Sequence, residues 1–145
     1  MKSVQKVTRV QLKINRNDDF ILIGLVSSEP DYKLSLALNN KFRISLKNIP
    51  SLKITDETGS ELSFSRFSDT SKSPEIQFGL FSNRSGKSFL LKRLKNVDYI
   101  FQVHDTENES NINQITASLR ELESVTAVFN IDLNTFKDKN LQYLT

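Results

Sequence analysis

The chain has no cysteine and no tryptophan, and only one histidine, four glycines and three prolines among 145 residues. The absence of cysteine removes disulfides, thiolate metal sites and cysteine nucleophiles together. It is in keeping with a reducing compartment, where disulfides are rare. The single histidine, His104, would leave a metal site to carboxylates, and no acidic pair stands at helical spacing beside it. No apolar run approaches membrane-spanning length, and the longest, over residues 20–26, suits a buried strand. The opening MKSVQKVTRV holds no apolar core of signal-peptide length. The expectation is a cytoplasmic protein with no membrane association. Scarce glycine and proline, and the lack of any linker or repeat, point to a single domain spanning residues 1–145.

What the chain does contain is enough apolar material for a core. Hydrophobic residues make up 37% and charged residues 26%, the balance of a folded protein. Ten phenylalanines against three tyrosines put the aromatic content into packing more than into polar-tipped recognition. Twenty Lys and Arg face seventeen Asp and Glu, a net charge of +3. The two signs are interleaved, which describes a solvated surface better than the basic face of a dedicated nucleic-acid binder.

The periodicity is mostly that of strands. Residues 4–14 alternate, with Val10, Leu12 and Ile14 on one side, and a polar turn follows over 15–19. Residues 20–26 are apolar on both faces except at Gly24, as in a central strand with a bulge or a close contact at the glycine. Residues 28–40 alternate too, but Ser28 and Asp31 make a capping-box start, Pro30 fits a first turn and Asn39-Asn40 a stop. A short helix, buried over much of its circumference, is expected there. Strands follow over 42–47, ended by Pro50, then over 51–55 and 61–67, with a loop over 69–74. Residues 76–82 and 88–92 read as strands joined by a longer hairpin loop. Residues 97–103 place Val97, Tyr99, Phe101 and Val103 on one face and Asp98, Ile100, Gln102 and His104 on the other. The period then changes. After the polar residues 106–111, Ile112, Ile115, Leu119 and Leu122 form a helical stripe, with Asn111 as N-cap. A strand over 125–131 and a weakly patterned tail over 132–145 complete the chain. The architecture implied is α+β: a mainly antiparallel sheet of about six to eight strands with one or two helices packed on one face.

Several residues could carry chemistry. Gly86-Lys87-Ser88 matches the end of a phosphate-binding loop, but Phe81 stands where the motif needs glycine and a strand follows where it needs a helix. A hairpin turn explains it better. His104 lacks a nucleophile-elbow partner. Asp98 sits among apolar strand neighbours, so its carboxylate needs a cation or several donors, and a cross-strand Lys or Arg suits that role. Arg84, Lys87, Lys92, Arg93 and Lys95 form the densest basic cluster, a candidate surface for phosphate or an acidic partner and equally a charged strand edge. Single-stranded RNA would also need exposed aromatics, whereas the alternation turns Phe89 and Tyr99 inward.

Several segments taken in order resemble the IPExxxVDY family of small bacterial proteins. They are DFILIGL at 19–25, DYKLSLALN at 31–39, Ser82-Asn83, Val97-Asp98-Tyr99 and FNID at 129–132. Asp31, Asp98 and Tyr99, which fall within these segments, are candidate structural polar residues. Where the family name has Ile-Pro-Glu, this chain has Leu91-Lys92-Arg93, so a chemistry resting on that glutamate is absent here. The family brings no activity, substrate or cofactor with it. Three readings follow. The leading one is a non-catalytic protein–protein interaction or regulatory domain, with a homodimer as one form of contact and no cofactor. The second is an RNA or polyanion-binding module built on the 84–95 basic cluster. The third is an enzyme around Asp98, which requires Asp98 and Tyr99 to converge although strand neighbours face opposite sides.

Overall fold

The computed structural model describes residues 20–71, 76–105 and 111–145. The strand expected over 4–14, the turn over 15–19, residues 72–75 of the loop and 106–110 of the polar segment lie outside the described residues. The rest is α+β, a six-stranded antiparallel sheet with a two-stranded hairpin and two helices. Strand β1 (Phe20–Val26) leads through helix α1 (Asp31–Phe42) to the far edge of the sheet. A meander of β2 (Leu46–Thr55), β3 (Glu61–Asp69) and β4 (Ile76–Ser82) comes back. The hairpin β5 (Arg84–Ser85) and β6 (Ser88–Phe89) precedes β7 (Tyr99–Asp105), which pairs with both β4 and β1. Helix α2 (Ile112–Arg120) then carries the chain to β8 (Ala127–Ile131) beside β1. The order is β2-β3-β4-β7-β1-β8.

Both helices cover the same face. There Ile23, Leu25, Phe101 and Val103 pack under Leu34 and Leu38 of α1 and Leu119 of α2. The stripe on α2 is therefore core, and Asn111 caps it by accepting the N–H groups of Asn113 and Gln114. On the opposite face Leu22, Phe64, Ile100 and Ile131 form a second core. No helix covers it. Its lid is the irregular segment after β6, through Leu90, Leu91 and Val97, together with the C-terminal tail through Leu144. The tail is more ordered than its weak pattern implies. Lys139–Tyr143 form a 3₁₀ turn, Leu144 is fully buried, and Gln102 Nε2 donates to the Leu144 carbonyl.

Five local expectations need correction. Helix α1 runs past Asn39-Asn40, because Asn39 uses its amide on the strand that follows, accepting Leu46 N–H and donating to Leu46 C=O. The helix ends instead at Arg43, in the left-handed region at φ 55. It is also less buried than expected, with Tyr32 58% and Leu36 60% exposed one turn apart. Pro50 does not end a strand. It lies within β2, between Ile49 and Leu52 where the register shifts, and β2 is an edge strand where a missing N–H costs no ladder bond. Residues 88–92 do not pair with β4. Only Ser88–Phe89 form a strand, against Arg84–Ser85, around a two-residue turn with Gly86 at φ 60, the conformation glycine adopts without strain. Finally, Val97 belongs to the second core with Ile100, not to the Tyr99 face, since regular pairing begins only at Tyr99. Gly24 marks a close contact as expected: a Cβ there would meet Val97 Cγ2 at 2.9 Å.

Candidate functional site

Residues 90–98 leave the sheet, cross the second core and return, and the buried side chain of Asn83 holds most of this path in shape. Asn83 is fully buried. Its amide donates to the carbonyls of Leu94 and Val97, each at 2.9 Å, and accepts the Leu91 N–H at 2.8 Å. Its main chain donates to Asp98 C=O and accepts from Leu90 N–H. A buried amide with this many partners acts as a template for a backbone that has no ladder of its own. The tail pins the loop from the other side. Asn140 Nδ2 donates to Leu90 C=O at 2.7 Å, and Asp138 accepts the Lys92 N–H. The apolar residues Leu90, Leu91 and Val97 are thus drawn inward, and Lys92, Arg93, Lys95 and Asn96 are left on the outside.

Asp98 and Tyr99 do meet, on a turn rather than on a substrate. Asp98 Oδ2 accepts the Ser27 N–H at 2.9 Å, and Oδ1 takes the Arg84 Nε at 2.5 Å. The Tyr99 hydroxyl donates to the Glu29 carbonyl at 2.6 Å. Together they fasten residues 27–30, the entry to α1, onto the start of β7. Burial pushes the Tyr99 phenol up to about 12, with the negative charges of Asp31, Asp98 and Glu29 adding to it. A proton held that firmly is poorly suited to acid–base work near neutrality. Asp31 accepts the Tyr32 N–H and places its charge in the first turn of α1, where the helix dipole favours it. A shallow cavity of about 430 Å³ lies beside Arg84, Asp98 and Tyr99, but both carboxylate oxygens and the phenolic proton are already engaged within the fold.

The larger concavity lies on the other flank of the loop. A groove of about 800 Å³ runs between residues 92–97 and the segment 129–136. Val97 and Ile131, both buried in the second core, form its base with Phe136. Phe129, 46% exposed, stands along one side. Lys92, Arg93 and Lys95 line the opposite wall. Among the described residues the one carboxylate lining it is Asp132, whose Oδ1 is occupied by the Asn134 N–H at 3.0 Å.

The structure therefore divides the basic cluster. Arg84, exposed but engaged, is bound to Asp98 and the Lys95 carbonyl and lies 4.9 Å over the Phe89 ring. Lys87, Lys92 and Lys95 share a smaller depression of about 360 Å³ with Asp56 and Glu57. Lys92, Arg93 and Lys95 face the groove, and Lys92 approaches Glu57 only at 3.8 Å. The Thr58 hydroxyl, bonded to Asp56, holds that carboxyl below the ordinary carboxylate range. His104 stacks on Phe20, 4.2 Å between ring centres, away from either site. Among the described residues no group of three or more His, Asp or Glu could hold a metal ion. Sequence reasoning missed Asn83 as an organiser and Phe129, Ile131 and Phe136 as groove residues. The signal at hand was the FNID segment, which carried part of the family likeness and here supplies the far wall. No family model matches the chain, and comparison with curated proteins and with solved structures gives no match.

Proposed function

We propose that this protein is a non-catalytic interaction domain of the cytoplasm that binds another protein through the groove between residues 92–97 and 129–136. The observation that carries the reading is an exposed Phe129 beside an apolar base and facing a cationic wall, in a fold whose other conspicuous polar residues are already satisfied. An exposed aromatic rimmed by polar residues is a common mark of a contact surface. The pieces of the IPExxxVDY likeness support a shared architecture in the same proposal. Ser82-Asn83, Val97 to Tyr99 and Phe129 to Asp132 all meet around this one loop. A second copy of the chain is one candidate partner.

A photo-crosslinking residue placed at Phe129, with the same residue at Thr55 on the opposite edge of the sheet as control, tests the reading in cells. Adducts of defined mass at position 129 and none at position 55 are expected. Equal labelling at both positions, or none, would overturn it. A second reading, polyanion binding, draws on the meeting of Lys87, Lys92 and Lys95 in one depression. It requires retention on heparin that falls steeply with salt. Asp56 and Glu57 in the same depression weigh against it.

A further inference from the structure

Building on the reading of the groove as a protein-binding surface, we propose that its occupant is an extended acidic peptide carrying one large apolar side chain. Three features set that chemistry. Phe129, Asn130, Ile131 and Asp132 all line the groove, four consecutive residues. Successive strand side chains point to opposite faces, so a concavity touching all four also touches the main chain. Strand β8 pairs with β1 along one side, and among the described residues nothing pairs with its other side. An extended main chain is the natural complement to such an edge.

Charge sets the second feature. Lys92, Arg93 and Lys95 form one wall, and Arg93 and Lys95 have no ion-pair partner among the described residues. The Lys92 contact with Glu57 joins two exposed side chains, the kind of pair a ligand carboxylate displaces at little cost. Asp132 is turned into its own loop by the Asn134 N–H and opposes an acidic ligand less than its position implies. The third feature is the base. Val97, Ile131, Phe136 and Phe129 enclose room for a single large apolar group, the anchor that gives such contacts most of their affinity. A nucleic acid fits less well. Stacking needs a series of open aromatic faces, and Phe89 lies under Arg84 while Tyr99 is buried.

The test uses short synthetic peptides of equal length with a central Phe. In one the flanking residues are Glu, in a second Lys, and in a third Glu with Ser replacing Phe. Binding is followed by fluorescence polarisation and located by backbone amide shifts. The Glu–Phe peptide is expected to bind and to move amides within residues 94–97 and 129–132. Joint replacement Lys92→Glu, Arg93→Glu, Lys95→Glu should weaken it roughly tenfold or more and raise the affinity of the Lys peptide. Phe129→Ser should weaken both without inverting the charge preference, and the amide spectrum of each variant confirms its fold. Binding in the groove that ignores peptide charge would overturn the acidic ligand and leave the protein-binding reading standing. Peptides that move no groove amide would overturn both. Oligouridylate or heparin binding there, lost on the same charge reversal and with no peptide binding, would replace the peptide by a polyanion.

Discussion

Removing the Asn83 side chain should be the most damaging single change to a polar residue in this protein. In Asn83→Ala the Leu91 N–H and the Val97 C=O lose their only hydrogen bonds given by the fold, and the Leu94 C=O keeps one, from the Val97 N–H. Two buried groups left without partners cost about 1–3 kcal/mol each, and the weakened third adds ~0.5–1 kcal/mol. The expected loss is ~2.5–7 kcal/mol, a large share of the ~5–15 kcal/mol that holds an ordinary domain together. For a chain of this length that lowers Tm by roughly 8–23 °C. Urea unfolding should show the loss as a shift in midpoint at unchanged slope. In the folded variant, the amide of Leu91 should exchange faster with solvent. A loss below ~1 kcal/mol would refute the claim that Asn83 templates the loop.

Asn83→Asp sharpens the test because it preserves shape. The Leu91 N–H keeps an acceptor, but an anionic oxygen now faces the carbonyls of Leu94 and Val97. Burial beside two carbonyl oxygens raises the introduced carboxyl above its unfolded value. The native state then binds more protons than the unfolded state, so stability falls as pH rises. The variant should sit closer to wild type at pH 4 than at pH 7. An opposite or absent pH trend would show that water, not the loop carbonyls, surrounds this position.

The remaining expectations concern single contacts. Tyr99 titrates at about 12 in the fold against an ordinary value of 10.0, so the stability its neutral phenol gives is full below pH 10 and is lost as pH climbs through about 12. Tyr99→Phe should cost ~1 kcal/mol at pH 7, through the hydrogen bond to Glu29, and should flatten this alkaline decline in urea melts at pH 8 and pH 11. A decline of equal depth in both proteins would assign it to another group. Arg43→Gly should raise stability by ~0.5–1 kcal/mol, because Arg43 holds the left-handed position that ends α1 and its side chain is exposed. A neutral or negative change in thermal melts would count against strain at φ 55. Gly24→Ala should cost ~1–3 kcal/mol by driving a methyl against Val97, and Val97→Ala in the same chain should cost less than the two changes summed. Strict additivity would mean that the two residues do not touch.

The helix-covered half of the molecule was legible because it obeys simple periods. The apolar run over residues 20–26, the alternation over 97–103 from Tyr99 onward, and the Ile112 to Leu122 stripe correctly indicated a sheet with helices on one face. Local competition defeated the finer reading. Asn39 looks like a helix stop, yet its amide is used on Leu46, so the helix continues to Phe42. Pro50 looks like a strand end, yet an edge bulge accommodates it. The other half has no period to read. Leu90, Leu91, Val97 and Leu144 are buried, and Phe136 partly so, along irregular backbone, so neither a period of 2.0 nor one of 3.6 picks them out.

The same difference explains why residues 84–99 suggested chemistry and then yielded architecture. Asp98, Tyr99 and Arg84 drew notice as polar groups near apolar strands, and a sequence cannot show whether such groups have partners. Here each has one: Asp98 holds Ser27 and Arg84, and Tyr99 holds Glu29. A buried polar group with its hydrogen bonds filled has spent its capacity on the fold. Capacity is left instead on the surface cations Arg93 and Lys95, which line the groove together with an exposed Phe129. Asp98, Tyr99 and Asn83 are thus scaffold, and they fix the loop that carries Lys92, Arg93 and Lys95 at the groove.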